Sequence, residues 1–384
     1  MPAAEQGGPQ PRALQLRPPE ATSATGFTRV TSVRELADGR LLVADPGERR
    51  LAVIDWRTGA IAAVSRAGEG PGEYRTVGWL YPLRGDTTLL TDAASRKWHV
   101  IVGATVRTTL VGTRDNDDLL DPILSGTDLQ NHFLAVNGYV YPPTAPYQMG
   151  STGADSIQVL LALGATAEAA PLRLDTIARI GGRSCFPLVA AAGSSASARG
   201  PVTPPCSQYA TEDLPFLFPD GWVAIAFRNP YRVDWRAPDG RWIKGAPLPG
   251  AGERPAQQDK CAALKGFPFR GATDCDAAAV VAQTWPTVLP PFLRHLSGRP
   301  MVAPSSATVF ATPEGNLVIR RAPSYASPAT RYDIVDRRGS LAATLTLPVN
   351  EAIIGFGARS IYTLTTDDSD LQWIRKHPWP GIGG

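Results

Sequence analysis

A chain of 384 residues in which 38 Lys and Arg oppose 35 Asp and Glu carries a net charge of only +3. It contains no block of five or six like charges, so no nucleic-acid partner is expected. Hydrophobic residues at 43% and charged residues at 19% exclude disorder as the default, and no apolar run approaches the ~20 residues of a membrane-spanning helix.

The 37 Gly and 36 Pro are spread along the chain, as many short strands and turns require. The opening has no basic stretch followed by an apolar one, so no secretory signal is expected, and residues 1–12 read as flexible. Residues 13–17 (ALQLR) alternate apolar and polar, as a strand with one buried face does. The clearest unit covers 35–59. A turn at Asp38-Gly39, a strand over 40–44, a loop opened by Asp45, a strand over 51–55 and a turn at Thr58-Gly59 make a β-meander. Residues 66–74 (RAGEGPGEY) read as a Gly-rich turn leading to the next unit. Pro71 removes an N–H donor and no Lys-Ser or Lys-Thr follows, which argues against a phosphate loop.

Degenerate copies of the meander return at 85–102, 133–140, 219–243, 313–347 and 357–376. Their second strands start near Leu41, Thr88, Phe133, Trp222, Leu317 and Ile361, a repeat of about 40–50 residues with two doubled gaps. Insertions fill those gaps: a small-residue surface loop at 190–205, and a lid or edge appendage at 250–291 in which 257–264 and 276–284 have helix-compatible composition. A propeller blade has four strands, and the last copy leaves room for about three. Residues 13–17 are therefore expected to pair with the C-terminal blade and close the ring. The expected fold is all-β: one domain over residues 1–384, a six-bladed β-propeller closed by an N-terminal strand and carrying a partly helical insertion.

The phrase LLVADPGERRLAVID at 41–55, with RAGEGPGEY after it, resembles the six-bladed propellers of the NHL-repeat type and related bacterial six-bladed β-propeller proteins. The resemblance covers less than half the chain, and it implies a fold more than an activity. Copies three and four depart from it, lacking the Asp and having longer loops.

A basic residue recurs at the mouth of the third strand in four copies: Arg50, Lys97, Arg232 and Arg331. Arg50, Lys97 and Arg232 keep one offset from the end of the preceding strand, at Asp45, Asp92 and Phe227. Such loops share one face of a propeller, so the four are expected in an arc around the channel mouth, as a site for an anionic ligand or an acidic protein surface. The competing reading has each capping carbonyls or pairing with a nearby Asp such as Asp45 or Asp92.

Cys185, Cys206, Cys261 and Cys275 form no C-x-x-C, and His99, His132, His295 and His377 are scattered, so zinc-ligand spacing is missing. Paired in sequence order, the cysteines would close two loops worth roughly 3 kcal/mol each in an oxidising compartment; the alternative is four reduced thiols. Of the nine Trp residues most sit in or beside strands and read as filling between blades, whereas Trp379 lies beyond the last strand and either tucks under the ring or offers a contact.

No G-x-S-x-G elbow supports a hydrolase triad, and no catalytic residue is assigned. The function expected is that of a non-catalytic binding or scaffold propeller engaging a protein partner through its loop face, with a small-molecule ligand as the lesser option, and without cofactor or metal. The alternative is a metal-dependent hydrolase or lyase at the central channel, to which Asp45, Asp92 and Asp234 could be offered. The even cysteine count points to an extracytoplasmic setting, periplasmic or secreted.

Overall fold

The structure, a computed structural model, describes residues 11–92, 94–95, 97–111, 123–129, 133–137, 156–162, 174–181, 213–250, 253–260, 288–289, 291–292, 308–322, 324 and 329–382. Two short strands come first, β1 (Arg12–Leu14) and β2 (Ala21–Thr22), and six meanders follow. Sheet one holds β3 (Ser32–Glu35), β4 (Leu41–Asp45), β5 (Arg50–Asp55) and β6 (Ala60–Ala63). Sheet two holds β7 (Leu80–Pro82), β8 (Thr87–Asp92), β9 (Lys97–Val102) and β10 (Thr105–Val111). Sheet three holds β11 (Ile123–Thr127), β12 (Phe133–Asn137), β13 (Ser156–Ala162) and β14 (Leu174–Gly181). Sheet four holds β15 (Leu214–Leu217), β16 (Val223–Arg228), β17 (Tyr231–Arg236) and β18 (Trp242–Ile243). Sheet five runs through β19 (Val309–Ala311), β20 (Leu317–Arg320), β21 (Thr330–Val335) and β22 (Leu341–Leu347), and sheet six through β23 (Glu351–Phe356), β24 (Ser360–Thr366) and β25 (Gln372–Pro378).

The first strands of the sheets, β3, β7, β11, β15, β19 and β23, touch in turn, and the last touches the first. The six sheets therefore close a ring, and the chain is a β-propeller. Each second-strand start expected from the repeat lies in, or one residue from, the second strand of its sheet.

Packing explains why the strands read as continuous apolar runs. Leu41 and Val43 face sheet six, packing with Phe27, Tyr362, Leu364 and Ile374, while Leu42 and Ala44 face sheet two, packing with Tyr74, Leu80, Leu90 and Ile101. A strand buried on both faces has no polar side to alternate with. The turns between first and second strands close on glycines in the left-handed region, Gly39 at φ 83° and Gly315 at φ 81°, where a side chain would be strained.

Closure differs from the expectation in its residues. β2 pairs antiparallel with β25 through Ala21 and Thr22, and it is this strand that completes sheet six. The alternating segment 13–17 does not form that edge strand: β1 lies parallel to β22, with Leu14 opposite Leu345, as a fifth strand of sheet five. Leu14 and Leu16 bury into the cluster of Phe310, Leu345 and Ile353, which is why the segment alternates. Alternation reports a buried face and not which sheet supplies it. Strand β2, two residues long, leaves no pattern to detect.

Of the helices expected in 250–291, residues 257–260 form one turn; 261–264 and 276–284, the loop 190–205 and all four cysteines lie outside the described residues.

Candidate functional site

In a four-stranded meander, the loop between second and third strands emerges at the same end as the connection to the next sheet. The long connections at 138–155, 182–213 and 244–308 all start and finish at that end, which we call the loop face.

Two carboxylates organise it. Asp45, ending β4, accepts hydrogen bonds from the backbone N–H of Thr28 and Arg29 at 2.9 Å each and of Gly47 at 3.0 Å. Asp92, ending β8, accepts from the N–H of Arg75 at 2.7 Å and Thr76 at 3.0 Å, and from the hydroxyls of Thr76 and Ser95 at 2.7 Å each. Both clip the incoming chain of their own sheet to its second-to-third-strand loop. Burial opposes ionisation of Asp92, but the hydroxyls of Ser95 and Thr76 and the two backbone donors outweigh it and hold the carboxyl down to about 2. A carboxyl depressed in the fold stabilises above its unfolded value near 3.9 and stops doing so as pH falls through 2. Asp92→Asn is expected to cost about 2 kcal/mol at pH 7 and almost nothing near pH 2. Urea unfolding of both proteins across that range checks it; a penalty independent of pH would contradict it.

The segment 66–74 forms the connection between sheets one and two. The N–H of Gly68 bonds the carbonyl of Tyr74, and the N–H of Gly70 bonds Glu73 at 2.8 Å. The Tyr74 hydroxyl, beneath this loop, donates to Ser65 O and accepts from Leu51 N.

The four basic residues singled out from the repeat all lie at the loop-face end of a third strand. Arg50 stands 3.8 Å from Glu48 and over the Phe27 ring. Arg232 makes two hydrogen bonds to Asp234, at 3.0 and 3.1 Å, and stacks 4.1 Å from the Phe227 ring centroid. Arg331 pairs with Glu253 at 3.3 Å. Lys97 lies opposite Asp92 in the β8–β9 ladder and lines a cleft of about 350 Å³ with Gly68, Glu69, Glu73, Arg75 and Ser95.

A second cluster on this face escaped sequence reasoning. Tyr231 Oη donates to Asp333 Oδ2 at 2.7 Å, Arg321 bonds the same oxygen at 3.1 Å, and its guanidinium lies over the Tyr231 ring. Arg321 also donates to Gly250 O, Leu289 N bonds Glu253 O, Ala322 N bonds Pro291 O, and Phe292 packs on Tyr231. The cluster thus holds both described ends of the insertion against sheets four and five. Its signal was a basic doublet, Arg320-Arg321, at the end of the apolar run of β20.

The opposite end is closed by short turns. A repeated Asp-x-Arg turn, at 38–40, 55–57, 239–241 and 336–338, has Asp accept the Arg N–H at 2.9–3.0 Å. Neighbouring sheets are stitched there by Ala37 N to Asp86, Leu129 N to Pro219 O and Ala358 N to Glu35. Trp379 tucks in, stacking edge-on against Phe356 and donating Nε1 to Glu314 at 2.8 Å.

Among the described residues, no group of three His, Cys, Asp or Glu side chains gathers as metal ligands would. Of the carboxylates offered to the channel, Asp45 and Asp92 take the donors above, and Asp234 takes Arg232 and the N–H of Gly245.

No protein-family model and no curated protein matches the chain. Among solved structures it is similar to regucalcin, a calcium-binding protein from Agrobacterium tumefaciens, with TM-score 0.41 and 11% identity over 96% of each chain. It is also similar to virginiamycin B lyase from Staphylococcus aureus, with TM-score 0.41 and 10% identity over 94% of this chain and 98% of that one. A DUF4221 family member from Bacteroides vulgatus gives TM-score 0.45 and 9% identity over 94% and 97%. At these values no residue role or activity carries over.

Proposed function

We propose that the protein is a non-catalytic binding propeller of the NHL-like kind, which works outside the cytoplasm and engages a protein partner through its loop face. The observation that carries this reading is the unequal treatment of the two ends. The connections at 138–155, 182–213 and 244–308 start and finish at the loop face, while the other end has hydrogen-bonded turns and, between β13 and β14, one longer link. A closed ring with its long connections joined at one end is what a binding platform needs. The carboxylates at that end take structural donors, which supports binding over chemistry.

Charge reversal of Arg50, Lys97 and Arg331 together is expected to abolish capture of a partner from native envelope extract, while reversal of Arg40, Arg57 and Arg241 at the other end leaves capture intact. All variants should first be shown to unfold at wild-type temperature. Equal capture by both sets, or capture from cytosolic extract alone, would overturn the reading.

A further inference from the structure

We infer that the cleft between the 66–74 connection and the β8–β9 loop is a subsite for one carboxylate side chain of that partner, with Lys97 as its counter-charge; this rests on the partner-binding reading above. The four basic residues that the repeat places on the loop face are not equivalent in the fold. Arg50, Arg232 and Arg331 each have an acidic partner from this chain at 3.8, 3.0 and 3.3 Å. Lys97 makes no ion pair among the described residues, although Asp92 is its ladder neighbour.

The carboxylates around Lys97 are already supplied with donors. Asp92 takes five hydrogen bonds, from Arg75, Thr76 and Ser95. Glu73 takes Gly70 N and the Arg66 guanidinium, and Glu69 is held by Arg75. Of the two cations that line the cleft, Arg75 is paired with Glu69, and Lys97 is the one with no acid at ion-pair distance among the described residues. A Cβ at Gly68 would stand 2.0 Å from Glu73 Oε2, so glycine there leaves room for the Glu73 carboxylate to bond Gly70 N and Arg66. A volume of about 350 Å³ with a charged lining suits a single Asp or Glu side chain with water around it, and an apolar anchor would leave these charges desolvated.

The chain has only five lysines, so reductive ¹³C-methylation, which keeps the charge, gives five lysine signals beside that of the N-terminal amine, and Lys97→Arg assigns the one in question. The probes are N-acetylated, C-amidated Gly-Glu-Gly, the same peptide with Gln, and sodium acetate. The Glu peptide is expected to move the Lys97 signal saturably and more than the other four. The Gln peptide should not move it, acetate at equal concentration should move it less, and added salt should weaken the effect. In capture of the partner, Lys97→Met should lower affinity about two- to fivefold, the range for a half-exposed ion pair, with Lys97→Arg retaining it. A Lys97 signal that moves no more than the others, or moves equally with Gln, overturns the subsite. An equal response to acetate overturns the assignment to a partner's side chain. If the triple reversal abolishes capture while the Glu peptide leaves Lys97 unmoved, the subsite falls and the binding face stands.

Discussion

Deleting residues 11–22 is expected to destabilise the protein by roughly 5 kcal/mol or more and to make it self-associate, because three separate supports go at once. Leu14 is buried in the cluster between sheets five and six, and losing a buried Leu costs about 2–5 kcal/mol. The pairing of β2 with β25 disappears, together with the flanking hydrogen bond from Glu20 N to Lys376 O, at about 1 kcal/mol for each bond. The third support is polar. His377 Nδ1 donates to Arg17 O at 2.9 Å while its Nε2 lies 3.3 Å from Glu351 Oε1, and Thr363 Oγ1 donates to the same Glu351 oxygen at 2.5 Å. Burial raises the Glu351 carboxyl, but the hydrogen bonds from His377 and Thr363 prevail and bring it below its usual range. The deletion leaves the buried His377 without its Arg17 carbonyl and bares the edge of β25, an open template for another chain. Deleting 11–17 alone removes Leu14, Leu16 and the Arg17 carbonyl but leaves sheets five and six with four strands each, so it should cost about 3–5 kcal/mol without self-association. Urea denaturation and size-exclusion chromatography measure both, and equal behaviour of the two deletions would show that β2 does not close the ring.

Asp333→Ala is expected to cost about 3–5 kcal/mol, among the largest effects of any single side chain here. The carboxylate serves the Tyr231 hydroxyl and the Arg321 guanidinium together, and the Arg321 and Asp333 side chains are only 9% and 11% exposed. Removing it leaves a buried cation and a buried hydroxyl without their acceptor, which costs more than the pair contributes when whole. Tyr231 should also respond: burial is the largest cause raising its phenol and Asp333 the next, so the variant should ionise at lower pH than wild type. Because Arg321 also holds Gly250 O, hydrogen exchange should rise at 248–254 in the variant before the ring itself opens. Tyr231→Phe keeps the ion pair and should lose only about 1 kcal/mol. A variant as stable as wild type, with unchanged exchange at the base of the insertion, would refute this account.

The candidate site was legible to the extent that it depended on repetition. Arg50, Lys97 and Arg232 share an offset because each pairs across its hairpin with the residue five positions earlier, Asp45, Asp92 and Phe227, and Arg331 falls at the same third-strand mouth although its loop is longer. Their partners were not legible in the same way. Glu253 lies 78 residues from Arg331, and Asp333 lies 102 from Tyr231, so no local spacing could announce either contact. The unpaired state of Lys97 is likewise a property of which way its neighbours' carboxylates turn.

Sequence alone determined the class of fold, the second strand of every sheet and the end at which the basic residues stand. All of these follow from local patterns: double-sided burial writes an unbroken apolar run, and tight turns demand Gly beside Asp or Asn. Only the tertiary structure decided which strand closes the ring, since Ala21–Thr22 is too short to carry a period and the alternation of 13–17 is satisfied by sheet five. It alone decided, too, which charges are neutralised within the chain and which face outward. Such pairing is settled by contacts between sheets far apart along the chain, whose energies reside in geometry and leave no mark on residue order.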